Sequence, residues 1–265
     1  MSTASIGTQN KRIKAKQWPS AGTAEGFLIL LPFFAFFARP PSVDASRVPR
    51  PPSIDASRVK KKKMRFPIVK NPYRLVALDI GNTLIRQCLP AMHRALGLPE
   101  DGGGVNLGIE PFQAPFEKLL LGRIAEEDYL EEFYERFQGR WTKEQILQAH
   151  YEYLLPSIEG MPELIRNMIN TGTHFVFFTD INTIHFRRFR NLTAGEYDDI
   201  TDVVGSNDVH AMKPSLEMFR NFEERFGKPD LYLDDRQVLV DGAIAHGWHA
   251  VQAGDAERLY RVLFL

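Results

Sequence analysis

Acidic side chains stand at the ends of three predicted strands. Asp79 ends the segment RLVALD. Thr179 with Asp180 ends HFVFFTD, and Asp234 with Asp235 ends LYLDD. Two adjacent carboxylates repel each other unless a cation or a lysine lies between them. The Asp234–Asp235 pair therefore favours a binding site over a purely structural role.

Short β-type runs that alternate with segments of helical spacing must position these residues. The runs cover 74–79, 174–180, 200–206, 230–235 and 249–253. Strands that alternate with helices predict a parallel sheet covered by helices on both faces. Ligands bind beyond the carboxyl ends of the strands in such sheets. The residues that end each strand are therefore the first candidates for a site.

The stretch 88–157 is too long for a simple crossover between two strands. Its spacing predicts helices, with an aromatic face around Tyr129 and Phe133 that we interpret as helix packing. Thr142 and Gln145 have the spacing of a capping box. The apolar stripe continues through the following residues: Leu147, Tyr151, Leu154 and Leu155.

Main-fold helices resume at Met161, where Pro162 suits the first helical position and Gly172 suits a helix C-terminal cap. The predicted fold class is α/β, a Rossmann-like three-layer parallel sheet with a helical cap inserted after the first strand. We predict a core domain of residues 71–87 and 158–265 and a cap domain of residues 88–157.

The first seventy residues differ in composition from the rest of the chain. They carry 14 Lys/Arg and three Asp/Glu, against 19 and 30 in residues 71–265. The unit PPSVDASRV at 40–48 recurs as PPSIDASRV at 51–59. Two Pro/Ser-rich units have no apolar face to bury. We therefore predict that residues 1–70 are a disordered basic extension or linker and that the working chain begins near Met64.

Two features of this extension could indicate membrane insertion, a signal peptide or nucleic-acid binding. The apolar run at 27–38 has 12 residues and contains Pro32, whereas a membrane-spanning helix needs about 20, so no stable membrane insertion is expected. A basic stretch precedes the run, but Phe36 stands where a signal peptide needs a small residue. The four lysines at 60–63 favour a solvated linker over a nucleic-acid signal, and no nucleic-acid partner is expected.

Composition narrows the class of protein. The 265 residues are 44% hydrophobic and 25% charged, which are ordinary globular proportions and exclude a wholly disordered chain, a collagen and a disulfide-rich mini-protein. Cys88 is the single cysteine, so no intrachain disulfide can form. That fits a reducing compartment, and we expect a cytoplasmic protein.

Four segments occur in a set order along residues 73–265. RLVALDIGNTLI contains Asp79, FVFFTDIN ends a strand on Thr179, HAMKPSLEMF places Lys213 before a proline, and LYLDDRQVLVDGAIAHGWHAV carries the paired aspartates. This order resembles the four motifs of the haloacid dehalogenase (HAD) superfamily, whose members are mostly Mg-dependent phosphatases. The DIGNT and TDINTIH segments are similar to a subgroup that includes a bacterial α-D-glucose-1-phosphate phosphatase.

The resemblance implies a covalent mechanism. A carboxylate can attack an anionic phosphate ester when a cation and a lysine neutralise the charge around it. Asp79 is implied as the nucleophile that forms an aspartyl-phosphate. The Thr179 hydroxyl would hydrogen-bond the phosphate, and Lys213 would neutralise it and hold Asp79 ionised. Thr179, Asp180 and Lys213 are thus the expected substrate-binding residues.

The resemblance also implies a Mg²⁺ cofactor, which prefers oxygen ligands. Asp79, the Gly81 backbone carbonyl and Asp235 would supply protein oxygens. Asp234 has two open roles, as an accessory ligand or as the group that orients Lys213.

The sequence departs from the family pattern at several positions. Gly81 stands where most superfamily phosphatases carry a second Asp as general acid. Either the acid is missing, or the turn needs glycine for a positive φ. His185 is a possible substitute acid, although a helix-surface histidine is the favoured interpretation. Asp180 brings an extra negative charge where the related subgroup has Asn, and Leu239 replaces a metal-site Asp of many members.

Two classes of function remain open. The first is a hydrolase, a phosphatase of small phosphorylated metabolites with sugar phosphates among the candidates. The second is a non-catalytic HAD-like protein that binds a phosphorylated ligand or a protein partner. The presence of Asp79, Thr179, Lys213 and Asp235 favours the first. The sequence predicts a small phosphorylated substrate and does not predict the oligomeric state.

Overall fold

The computed structural model describes residues 66–99 and 113–265, which all lie within the unit formed by residues 60–265. The repeat at 40–59, the apolar run at 27–38 and the lysines at 60–63 lie outside the described residues. Residues 66–70 belong to the predicted extension. Phe66 is buried there in the main core, and its carbonyl accepts a hydrogen bond from Asn167 at 3.0 Å.

The described residues contain strands and helices in alternation. The strands are β1 (Leu75–Leu78), β2 (Ile85–Gln87), β3 (Leu154–Ser157), β4 (His174–Thr179), β5 (Asp202–Gly205), β6 (Leu231–Asp234) and β7 (Ala250–Gln252). The helices are α1 (Leu89–Ala95), α2 (Gln113–Leu120), α3 (Glu126–Arg136), α4 (Lys143–Tyr153), α5 (Met161–Asn170), α6 (Thr183–Leu192), α7 (Ser206–Val209), α8 (Leu216–Phe226), α9 (Gln237–Ala245) and α10 (Ala256–Phe264).

A parallel sheet in the order β5-β4-β1-β6-β7 forms the centre of the fold. Each of its five strands falls within a predicted β-type run. Side chains alternate along β1, so that Val76 and Leu78 join one core cluster with α5 and α10. Ala77 faces the other way, into a cluster with α8 and α9. Helices thus cover both faces, and the predicted three-layer α/β class is confirmed.

The helices α1 to α4 lie between the first two strands of this sheet in sequence and share a separate apolar cluster. The cluster contains Tyr129, Phe133, Trp141 and Ile146, and Ile184 of α6 joins it. The predicted capping box is confirmed: Thr142 and Gln145 exchange hydrogen bonds at the start of α4. The aromatic face of α3 therefore serves helix packing, as expected.

One expectation about this segment is wrong. The stripe was expected to stay helical through Leu154 and Leu155, but α4 ends at Tyr153 and Leu154 begins β3. Pro156 explains the change, because the residue before a proline disfavours helical geometry. β3 pairs antiparallel with β2 and forms a two-stranded ribbon at the two ends of the segment that contains α1 to α4. The sequence pattern did not predict this ribbon.

The return to the main fold follows the predicted signals. α5 begins at Met161 with a proline in its first turn, and Gly172 has φ 97° just after the helix. A left-handed φ at this place is the usual reason for a glycine after a helix. Among the helices of residues 66–99 and 113–265, none has the length and apolar content required to span a membrane.

Candidate active site

The carboxyl ends of β1, β4 and β6 meet at one pocket of about 110 Å³. β1 pairs with both β4 and β6, so the residues that end these strands become neighbours. The pocket brings together all the site residues expected from the sequence and adds four others. It is lined by Asp79, Gly81, Asn82, Gln87, Thr179, Asp180, Lys213, Asp234, Asp235, Arg236 and Leu239.

Lys213 connects the strands at the bottom of the pocket. Its Nζ donates to Asp79 Oδ1 at 2.7 Å and to Asp234 Oδ2 at 2.6 Å. A third hydrogen bond goes to the Phe178 carbonyl at 3.1 Å. The lysine side chain is only 2% exposed. A lysine withdrawn this far from water is held by its charge partners, so Lys213 is a buried group of the pocket lining and not a solvated surface lysine.

Burial and neighbouring charges shift the pKa values of this cluster. Burial is the largest effect on Asp79 and raises its pKa to about 7, with Lys213 acting in the opposite direction and Asp234 acting in the same one. Burial alone would lower the pKa of Lys213, but the negative charges of Asp79 and Asp234 hold it well above its usual value. By formal charge, the pocket lining has four carboxylates, Asp79, Asp180, Asp234 and Asp235, against the two cations Lys213 and Arg236.

Both carboxylate oxygens of Asp234 accept hydrogen bonds from other groups of the protein. Oδ2 accepts from Lys213 and from the Tyr232 hydroxyl, and Oδ1 accepts the backbone N–H of Arg236 at 2.9 Å. The carboxylate is fully buried. Of the two roles that the sequence left open, these contacts favour the one in which Asp234 orients Lys213.

Three carboxylates at the pocket could hold a hard cation together. Asp79, Asp234 and Asp235 each offer an oxygen, and these atoms lie within 4.8 Å of one another. Clusters of carboxylate oxygens suit Mg²⁺. Burial raises the pKa of Asp235, whereas a hydrogen bond from Asn82 lowers it. The donor set and its excess negative charge both fit a divalent cation.

Thr179 and Asp180, at the end of β4, differ in their contacts. Thr179 is 2% exposed and lines the pocket. Asp180 also lines the pocket, but its Oδ1 accepts the backbone N–H of Lys213 at 3.0 Å. Burial raises the pKa of Asp180. Asp180 therefore joins the Lys213 loop to the end of β4, a contact that the sequence did not indicate.

Four pocket residues were not predicted to belong to the site: Asn82, Gln87, Arg236 and Leu239. Arg236 directly follows the paired aspartates, and Asn82 lies in the DIGNT turn, so their positions in the motifs could have indicated them. Leu239 was noted as a departure from the family pattern. Gln87 carries no motif signal, because it reaches the pocket only through the pairing of β2 with β3.

The structure decides one question about Gly81 and corrects the expectation for His185. Gly81 is not among the described residues with positive φ, whereas its neighbour Asn82 has φ 51°. The turn therefore does not need glycine at 81 for a left-handed conformation. His185 was expected on a helix surface, but it is 5% exposed, because α4 and Phe116 of α2 cover that face of α6.

His185 belongs to what we call the buried histidine chain, formed by Tyr129, His150, His185 and Asn182. The Tyr129 hydroxyl lies 2.7 Å from His150 Nε2, and His150 Nδ1 lies 3.0 Å from His185 Nε2. Asn182 Oδ1 accepts the His185 backbone N–H at 2.9 Å. Burial lowers the pKa of His185 to about 4. A neutral histidine that does not line the pocket is a poor candidate for a substitute general acid.

Comparisons with known proteins agree on the fold. No family model and no curated protein sequence matches the chain. A HAD family enzyme from Bacteroides thetaiotaomicron is similar in structure, with TM-score 0.60 and 17% identity over 73% of this chain and 98% of that chain. The same enzyme in complex with magnesium and inorganic phosphate gives TM-score 0.58 and 16% identity over 71% and 100%.

A predicted HAD-like family hydrolase from Porphyromonas gingivalis is also similar, with TM-score 0.57 and 19% identity over 72% of this chain and 98% of that chain. The chain therefore has the fold of the HAD family hydrolases. The fold agrees with the family resemblance of the four sequence motifs.

Proposed function

We propose that the protein is a Mg²⁺-dependent HAD-family hydrolase, a phosphatase of small phosphorylated metabolites. The observation that carries this proposal is the buried Lys213 ammonium, which bridges Asp79 and Asp234 at a pocket that Asp235 completes. The magnesium and phosphate complex of the Bacteroides enzyme supports it. Sugar phosphates are candidates within this class because the sequence motifs resemble those of a sugar-phosphate phosphatase.

Asp79 is the proposed nucleophile. One of its carboxylate oxygens forms a bond to phosphorus while the bond from phosphorus to the leaving-group oxygen breaks. Water then attacks the aspartyl-phosphate, which releases inorganic phosphate and restores Asp79. The Thr179 hydroxyl donates to a phosphate oxygen, and Lys213, which Asp234 holds in place through the contact of 2.6 Å, offsets the phosphate charge with its own. Mg²⁺ bound by Asp79, Asp235 and the Gly81 carbonyl would supply positive charge beside the attacking oxygen.

Hydrolysis of p-nitrophenyl phosphate with Mg²⁺ tests this function. We expect turnover by the wild type and a loss of at least about 10⁴-fold in Asp79→Asn, because the nucleophile is removed. Asp208→Asn is the matched control, since Asp208 is exposed and does not line the pocket. Acid-quenched protein should also carry a phosphoryl group that is absent from Asp79→Asn. Equal turnover by wild type and Asp79→Asn would contradict the proposal.

The non-catalytic alternative predicts a different result. Such a protein would bind inorganic phosphate or a phosphorylated ligand without turnover under any metal condition. The predicted boundaries of core and cap, and the cytoplasmic location, stay predictions.

A further inference from the structure

Gln87 lies against Gly81 at the edge of the pocket. A Cβ atom built on Gly81 would lie 2.5 Å from Gln87 Nε2 and 2.9 Å from Gln87 Cδ. These distances are shorter than real Cβ contacts allow, so any side chain at 81 would displace the glutamine. Gly81 lacks a positive φ, so the conflict at this position is one of space, with the end of the exposed and flexible Gln87 side chain.

Asn82 sets the orientation of the Gln87 carboxamide. Asn82 Nδ2 donates to Gln87 Oε1 at 3.3 Å, and the Gln87 backbone N–H donates to Asn82 Oδ1 at 2.9 Å. The pairing of Gln87 with Leu154 in the β2–β3 ribbon fixes the backbone beneath it. With its oxygen engaged by Asn82, the carboxamide has its Nε2–H groups available to a ligand in the pocket.

We propose that Gln87 is a further catalytic residue, which donates a hydrogen bond from Nε2 to the leaving-group oxygen. This proposal rests on the proposed phosphatase function. When Asp79 attacks phosphorus, the electron pair of the breaking bond goes to the leaving-group oxygen. Gln87 stabilises that negative charge but cannot transfer a proton, because a carboxamide does not ionise in this range. The leaving group takes its proton from water after it departs.

A neutral donor at this position selects a class of substrate. Transfer of a proton to the leaving group by a general acid typically contributes about 10²- to 10⁴-fold to a rate. A site without that transfer favours phosphate compounds whose leaving group is a stable anion. The geometry therefore points to aryl phosphates, to mixed anhydrides such as acyl phosphates and, among the sugar phosphates, to sugar 1-phosphates, and away from simple alkyl phosphates.

A series of aryl phosphates of graded leaving-group pKa tests the role of Gln87. We would measure kcat/KM, which includes the step in which the leaving group departs, for wild type, Gln87→Met and Gln87→Ala. Methionine keeps the length of the side chain and removes the donor. For phenyl phosphate we expect about a tenfold loss, the size of one hydrogen bond of about 1.4 kcal/mol. For dinitrophenyl phosphate, whose leaving group is the stable dinitrophenolate anion, we expect kcat/KM of both variants to lie within about twofold of wild type.

The plot of log kcat/KM against leaving-group pKa should therefore be steeper in both variants. Arg86→Ala is the matched control, because Arg86 is the exposed neighbour on β2 and does not line the pocket. It should keep the wild-type slope. Equal slopes in wild type and Gln87→Met, with measurable turnover, would overturn the role of Gln87. An absence of turnover by the wild type would instead refute the proposed function.

A double-mutant cycle tests the space-filling part of the proposal. Gly81→Ala alone should lower kcat/KM for phenyl phosphate, because the methyl group displaces the Gln87 carboxamide. In the Gln87→Ala background the same change should have an effect within about twofold, since the space is then free. Equal losses in both backgrounds would show that Gly81 acts independently of Gln87, and would overturn the link between the two positions.

Discussion

At the strand ends, Asp79 and Asp234 share one ammonium group, that of Lys213, and Asp235 lines the same open pocket. Between α3, α4 and α6, the buried histidine chain joins four polar side chains with no formal charge, packed among aromatic rings. The side chains of the buried histidine chain find their hydrogen-bond partners within the protein. The site keeps an excess of carboxylates that a bound cation would balance. This difference separates a binding site from a structural polar core.

The largest expected effect comes from removing the shared cation. In Lys213→Met, the buried carboxylates of Asp79 and Asp234 lose their partner, and breaking a buried ion pair costs about 3–5 kcal/mol of stability. We also expect kcat/KM for p-nitrophenyl phosphate to fall by about 10²- to 10³-fold. Urea unfolding and steady-state kinetics measure both. Lys228→Met, at an exposed lysine, should leave both unchanged; wild-type values in Lys213→Met would contradict the comparison.

The buried histidine chain should make stability depend on pH. Burial lowers the folded-state pKa of His185 to about 4, whereas an unfolded histidine has a pKa of about 6.5. The unfolded state therefore binds the proton first as pH falls. The contribution of His185 is complete above pH of about 6.5 and is lost as pH falls towards about 4, about 3 kcal/mol in total.

Urea unfolding at several pH values measures this effect. His185→Gln should depend less on pH than wild type across that window, because its buried group does not titrate. His249→Gln, at an exposed histidine, should keep the wild-type dependence. The same pH dependence in His185→Gln and wild type would argue against a neutral buried histidine.

Metal addition should stabilise the site and leave the histidine chain unaffected. Mg²⁺ at one hundred times its Kd should raise the free energy of unfolding by about 2.7 kcal/mol. EDTA should remove both this gain and the activity. Asp235→Asn should lose the gain, whereas Asp241→Asn, an exposed aspartate of α9, should keep it. Full activity in excess EDTA would exclude the metal.

The smallest expected effect tests one bond of the histidine chain. Tyr129→Phe removes the hydroxyl that lies 2.7 Å from His150 Nε2 and leaves that nitrogen buried without its partner. We expect a loss of about 1–3 kcal/mol in stability and no change in kcat/KM. Tyr134→Phe, on the exposed face of the same helix, is the control. A change in kcat/KM would show that the two regions are coupled.

Much of the fold could be predicted because its signals are local. The five strands of the sheet are short apolar runs, and the start of α4 carries a capping box within four residues. The β2–β3 ribbon could not be predicted, because its two strands are separated by the whole helical segment and neither alternates clearly. The burial of His185 depends on helices from another part of the chain, which no local pattern of α6 reveals.

For the site, the sequence by itself determined the chemical groups and their places at strand ends: Asp79, Thr179, Lys213 and the paired aspartates. A parallel sheet must bring the carboxyl ends of its strands to one edge, so motif order was sufficient. Only the tertiary structure decided what each group contacts. In the folded chain, Asp234 accepts a hydrogen bond from the Lys213 side chain, and Asp180 accepts one from the Lys213 backbone N–H. Gln87 lies against Gly81. Such contacts depend on distances between residues far apart in sequence, which are set only when the sheet, the ribbon and the helices pack together.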